Sequence, residues 1–131
     1  MILDSSALTA ILGNEPEAAD PASAIEAAGE CRISAVNYVE AAAVIDGSRD
    51  PAASRRFDDL VREAAVAIDP VRAVQAQPAR EGYRDSGKGS GHPAQLNFGD
   101  CFAYALARSA GQPLLVKGSD FSRTDIASAL P

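Results

Sequence analysis

Tryptophan is absent from this chain, and four Phe and three Tyr are all that supply aromatic surface. Stacked sheets of aromatic-rich strands are disfavoured by that shortage, because such side chains are what strands use to fill a core between sheets. The two cysteines, Cys31 and Cys101, stand in no Cys-x-x-Cys or Cys/His spacing. This argues against a disulfide scaffold and a zinc site and predicts two free, buried thiols. The one histidine, His92, lies before a proline in a glycine-rich stretch, where an imidazole is a solvated loop group more often than a general base. No apolar run approaches the roughly 20 residues that span a bilayer, and no charged-then-apolar leader opens the chain. A cytoplasmic protein with no membrane partner is expected. Positive charge is also short: twelve Lys and Arg face eighteen Asp and Glu, for a net charge of −6. At face value that opposes a nucleic-acid partner, which usually requires a basic footprint. The deficit is uneven, however, because residues 79–131 carry six basic side chains against five acidic ones. Four acids that bound cations would also leave the repulsive side of the sum.

What is present points to a single α/β domain over residues 1–131. A chain of 131 residues can bury a core without covalent or metal staples. Its apolar fraction of 47% is dominated by alanine, which suits helices packed tightly against a small sheet. Met1-Ile2-Leu3 reads as a strand, and Asp4-Ser5-Ser6 as the cap of a helix closed by Gly13-Asn14. Asp20-Pro21 reads as an N-cap with proline at the first helical position, opening a helix through Ile25 to Gly29. Cys31-Arg32-Ile33 gives a second strand, and Ser34 caps a helix ending near Gly47. Asp50-Pro51 repeats the cap-then-proline signal before an amphipathic helix carrying Phe57, Leu60 and Val61. Val66 to Pro70 is a third strand, and Val71 to about Tyr83 a helix that Pro78 kinks or breaks. A glycine-rich loop over 85–93 precedes Asn97, the cap of a periodic helix from Phe98 to Ala110 that Gly111 ends. Pro113 to Val116 is the fourth strand. Strands alternating with helices imply a parallel sheet with helices on both faces and a ligand site at the carboxyl ends of the strands.

Four acids occupy positions that an ordinary fold avoids or uses sparingly. Asp4 and Asp120 follow apolar runs at strand ends, and Asp100 sits in the first turn of a helix. Glu40 stacks by three and four residues on Val36, Ala43 and Val44, a stripe expected to face the core, where an unpaired carboxylate costs several kcal/mol. Each has a bland alternative. Asp4 can be a helix cap, Glu40 can pair with a buried arginine, Asp100 can answer the helix dipole, and Asp120 can be a turn residue. Converging carboxylates with no His or Cys among them suit Mg2+ or Mn2+ and metal-assisted phosphate chemistry. Lys117, Lys88, Arg84 and Arg80 are candidate contacts to a phosphate group. Ser5 and Ser6 lack a base at any inferable spacing, and the glycine-rich loop matches neither common phosphate-binding signature.

The segments Ile2 to Leu8, Ile33-Ser34-Ala35 through Glu40, Leu96-Asn97-Phe98-Gly99-Asp100-Cys101 to Ala105, and Leu114 to Phe121 with Thr124-Asp125-Ile126 resemble a PIN-domain ribonuclease of the VapC toxin type. Tyr83-Arg84, Gly87-Lys88-Gly89 and His92-Pro93 resemble the stretch that precedes the Asn-x-Gly-Asp motif in these toxins, so the likeness covers essentially the whole chain. It implies a three-layer α/β/α fold with a small parallel sheet, and cleavage of structured RNA such as tRNA or ribosomal RNA. It also implies Mg2+ or Mn2+ at a carboxylate cluster of Asp4, Glu40 and Asp100, with Asp120 as an outer or second-metal ligand. A VapB-type antitoxin and a homodimer follow from the same likeness. Ser119 departs from the pattern: similar toxins usually carry an acid or asparagine there, so this corner is expected to hold metal more weakly or through water. Two other readings stay open. One is a PIN domain whose weakened site leaves it as an antitoxin-binding module. The other is a phospho-receiver, suggested by a strand-end Asp69 and by Lys117 after another strand.

Overall fold

A computed structural model describes residues 1–16, 19–118 and 120–130, and among these residues the chain forms four short parallel strands and six α-helices. The strands are β1 (Ile2–Leu3), β2 (Arg32–Ser34), β3 (Ala67–Asp69) and β4 (Leu114–Leu115). They lie in the order β3-β2-β1-β4, with Leu3 paired to Ile33 on one side and to Leu115 on the other. β1 is therefore internal, and residues just beyond its end emerge between two neighbours. Strand periodicity sends Ile2 and Leu114 into one core, with Leu96, Leu106 and Phe121. Leu3, Ile33 and Leu115 enter a second core, with Leu8, Phe57 and Val66. Two cores on opposite faces of one sheet are the expected layered α/β/α arrangement.

The helices are α1 (Ser5–Leu12), α2 (Ala19–Ala27), α3 (Ala35–Gly47), α4 (Pro51–Glu63), α5 (Ala73–Ser86) and α6 (Phe98–Ala110). Asp50 caps α4 as expected, its carboxylate accepting from the Ala52 N–H at 3.0 Å with Pro51 at the first position. Asn97 and Asp100 form a reciprocal capping box at the head of α6, and Gly111 closes that helix in the left-handed region at φ 63°. Both thiols are free and buried, and burial raises Cys101 to about 11, so it stays protonated near neutral pH.

Several local expectations are corrected. Asp20 and Pro21 lie inside the first turn of α2, which begins at Ala19 and ends at Ala27 rather than Gly29. Ser34 occupies the N-cap of α3 but makes no side-chain cap bond. Pro78 sits within α5, which continues to Ser86 and shortens the glycine-rich loop. The stripe assigned to α3 is displaced: Asn37 and Ala41 are buried, whereas Ala43 and Val44 are exposed. An alanine- and valine-rich helix has weak contrast between its faces, so a register error of about one position is easily made. Glu40 consequently lies half-buried at the edge of the core face, not inside it.

Candidate active site

The end of β1 is where the acids gather. The Asp4 N–H donates to the Leu115 carbonyl at 2.9 Å, tying the residue to the neighbouring strand as the chain turns into α1. One carboxylate oxygen, Oδ2, accepts from the Ser6 N–H at 3.0 Å and caps α1. The other, Oδ1, is buried without a hydrogen-bond partner. Asp4 is 2% exposed, and burial pushes its carboxyl above the ordinary 3.8, against the Ser6 bonds that lower it and with the nearby Glu40 charge raising it further.

Glu40 reaches the same place from α3. Its Oε1 accepts a short hydrogen bond from the Ser5 hydroxyl and lies 3.4 Å from Asn37 Nδ2. The carboxylate rests on Gly99 in the first turn of α6, so closely that a Cβ there would stand 2.7 Å from Cδ and 2.8 Å from Oε1. Asp100, the next residue, is 8% exposed, and its Oδ2 accepts from the Asn97 N–H at 2.9 Å. Asp4 and Glu40 thus meet at the end of β1, and Asp100 stands in the adjoining first turn of α6, next to the Gly99 on which Glu40 rests. Ser119 lies outside the described residues. Asp120 is described only through its backbone, which opens a 3-10 turn over Asp120–Arg123. That turn follows Gly118, whose φ of 94° suits glycine.

The donor set is all oxygen, and a buried Asp4 with Oδ1 unpartnered beside the Glu40 charge is the electrostatic situation that a cation relieves. Among the described residues no three His, Cys, Asp or Glu side chains stand close enough together to cage an ion. Mg2+ keeps several waters and commonly uses one or two protein carboxylates. The residues therefore fit a hydrated divalent cation better than a dehydrated one.

The basic candidates are spread more widely. Arg80 and Arg84 line a cleft of about 390 Å³ between α5 and α6, whose wall also includes Phe98 and Phe102. Arg84 is held by both oxygens of Asp85, at 2.8 and 2.9 Å. Lys88 is exposed after α5, while the Lys117 ammonium pairs with Glu15 and its backbone N–H donates to the Ser6 hydroxyl at 3.0 Å. His92 Nδ1 accepts from the Ala94 N–H at 3.0 Å, which makes it a turn residue. Ser5, Asn37 and Gly99 belong to the site although the sequence did not assign them to it. Asn37 had a usable signal, a polar residue three positions before an acid on one helix face.

The phospho-receiver reading loses its geometry. Asp69 ends β3 at one edge of the sheet and is engaged by Arg32, whose Nε donates at 2.8 Å. Lys117 follows β4 at the opposite edge. Three strand spacings, roughly 14 Å, separate the edges, too far for a strand-end Asp and Lys to act on one phosphoryl group.

Replacement of Gly99 by alanine tests how closely α6 must approach α3. The Glu40 carboxylate is the tip of a long side chain, so it should move away while the helices stay packed. Cleavage by Gly99→Ala is expected to fall by at least about tenfold, with a melting temperature close to wild type, as read by gel assay and circular dichroism.

A small parallel sheet covered by helices, with acids of α1's cap, α3 and α6 towards its carboxyl end, defines an α/β fold with an acidic site. The model of the PIN domain family matches residues 1–127, and the chain belongs to that family. It is 50% identical over 130 residues to Ribonuclease VapC28 of Mycobacterium tuberculosis, covering 99% of this chain and 98% of the relative. It is 47% identical over 132 residues to Ribonuclease VapC30 of the same species, covering 100% of both. Among solved structures, the fold resembles Mycobacterium tuberculosis VapC20, described as a Sarcin-Ricin loop cleaving toxin, with a TM-score of 0.79 and 15% identity over 99% of this chain and 98% of that one. A toxin-antitoxin complex from Klebsiella pneumoniae matches with a TM-score of 0.71 and 15% identity, over 98% of this chain and 96% of the other.

Proposed function

We propose that this protein is a divalent-metal-dependent endoribonuclease toxin that cleaves structured RNA and is restrained by a small VapB-type antitoxin. The observation that carries the proposal is the buried Asp4 carboxylate, with one oxygen unpartnered and the Glu40 charge beside it. A purely structural N-cap needs no second acid facing it from another helix. Membership in a family whose relatives are ribonucleases supports the same reading.

In this reading Asp4, Glu40 and Asp100 hold Mg2+ or Mn2+, with Asp120 contributing at the outer edge. When bound there, the cation would supply activation of a water and neutralisation of charge on the departing oxygen of a phosphodiester. Ser5 orients the Glu40 carboxylate, and the Asn97 cap holds the first turn of α6, where Asp100 resides. Arg80, Arg84, Lys88 and Lys117 contact RNA phosphates around the acidic centre, which confines basicity to the rim of an acidic protein. Arg84 and Lys117 exchange their present carboxylate partners for phosphate when they do so.

The same likeness implies a homodimer, and exposed Val74, Tyr83 and Phe98 support cover by another polypeptide. Among the described residues no helix is long and apolar enough to cross a membrane, and a cytoplasmic setting suits an RNA substrate. Purified protein is expected to cut a structured RNA with Mg2+ or Mn2+ and to stop on addition of EDTA. Mapping of new 5′ ends after brief induction in cells reads the substrate. Undiminished cleavage in EDTA would remove metal dependence, and an unchanged 5′-end map would remove the nuclease.

A further inference from the structure

Asn37 is fully buried at 0% exposure, yet it is polar and on the helix that carries Glu40. Its Nδ2 donates to the Gly99 carbonyl at 2.9 Å and lies 3.4 Å from Glu40 Oε1. Both neighbours are acceptors, so the amide must present its nitrogen to them, and the alternative orientation is ruled out by chemistry. Its own Oδ1 is buried without a partner. A half-satisfied buried amide stabilises a core less than an apolar side chain of similar size would, so packing does not account for it. What the amide does achieve is a link between two elements. It joins α3 to the first turn of α6, one residue before Asp100, and it stands on the same face of α3 as Glu40, three residues away.

We propose that Asn37 is a positioning residue for the metal-dependent cleavage: it clamps the first turn of α6 to α3 and aims the Glu40 carboxylate. This rests on the reading of Glu40 as part of the cleaving site. Ser5 holds the same Glu40 oxygen from α1, so the carboxylate is oriented from two directions. Removing one of them leaves the acid present but loosely aimed. Groups that orient metal-binding side chains typically matter by about tenfold to a hundredfold in metal affinity or activity.

The test uses the full chain with Asn37→Ala, and with Asn37→Asp, which keeps the shape and loses the donor. Circular dichroism melts identify which variants fold, and Asn37→Asp takes over if the alanine form does not. A folded variant is expected to lose about tenfold to a hundredfold in kcat with KM for RNA within about twofold of wild type. Calorimetric titration with Mn2+ should show a weakening of similar size. In a Glu40→Gln background, Asn37→Ala should weaken Mn2+ binding no further, because the group it aims is gone. A folded variant with wild-type kcat and Mn2+ affinity would overturn the proposal, as would a loss that adds in full to that of Glu40→Gln. Wild-type cleavage by Glu40→Gln would instead sink the site reading itself, so the two failures are distinct.

Discussion

Asp4→Asn is expected to abolish RNA cleavage, by at least about a hundredfold, without destabilising the metal-free fold. Losses of about 10² to 10⁴ are typical when a positioned charged or proton-transferring group is removed from an active site. Asparagine keeps the oxygen that accepts from the Ser6 N–H, so the cap on α1 survives. The substitution also removes a buried carboxylate that burial and Glu40 already hold above its ordinary pKa. The sign of the pH effect follows from that shift. A folded-state pKa above the unfolded value means that the native state binds more protons between the two, so stability falls as pH rises through that interval. Metal-free wild type should lose this contribution between the ordinary carboxylate value of 3.8 and the raised one. Asp4→Asn should lack that decline and should equal or exceed wild type in stability at neutral pH. Thermal melts across pH, paired with a gel cleavage assay, read both effects. A variant that cuts as fast as wild type, with contaminating nuclease excluded, removes Asp4 from the chemistry. A cooperative melt at much lower temperature would mean that the Asp4 carboxylate holds the fold beyond its cap bond to Ser6.

Leu106→Ala should do the reverse, with a loss of about 2–5 kcal/mol in unfolding free energy and unchanged chemistry in the molecules that remain folded. Leu106 is 0% exposed on α6 and packs with Ile2, Leu114 and Phe121 against one face of the sheet. Its truncation leaves a cavity that a helix tied down by a capping box at one end and a left-handed glycine at the other cannot easily collapse. Because a domain of this size is stable by about 5–15 kcal/mol, the change consumes a large part of the margin. Urea unfolding should show a lower midpoint with an unchanged slope. Cleavage normalised to the folded fraction should match wild type. A shift under about 1 kcal/mol would mean that the α6 side of the sheet is less tightly packed than the burial of Leu106 implies.

The two substitutions separate what the acids do from what the core does, and the same separation explains how much of the protein is legible in its sequence. Asp50-Pro51, Asn97 with Asp100, and Gly111 announce helix ends through local chemistry, since each satisfies or terminates backbone groups within a few residues. These elements appear where expected. The alternation of strands and helices leads to the layered sheet for a similar reason, because parallel neighbours require crossovers. The face of α3 is misjudged from the sequence because alanine and valine surround the helix, and only packing against α1, α4 and α6 chooses the buried side. The outcome places Glu40 half-buried at the rim, where its carboxylate can reach a ligand.

By itself the sequence determined an α/β fold, the caps at Asp4, Asp50 and Asn97, and the acids and motifs by which it resembles the PIN family. The tertiary structure alone decided that Asn37 meets the Gly99 carbonyl and that Ser5 holds Glu40. It also decided that Asp69 and Lys117 lie at opposite edges of the sheet. Local signals reach only a few residues along the chain, because caps and turns are closed by neighbouring atoms. Contacts across 35 or 62 positions depend on which helix faces which, and that is settled when the two cores are buried together.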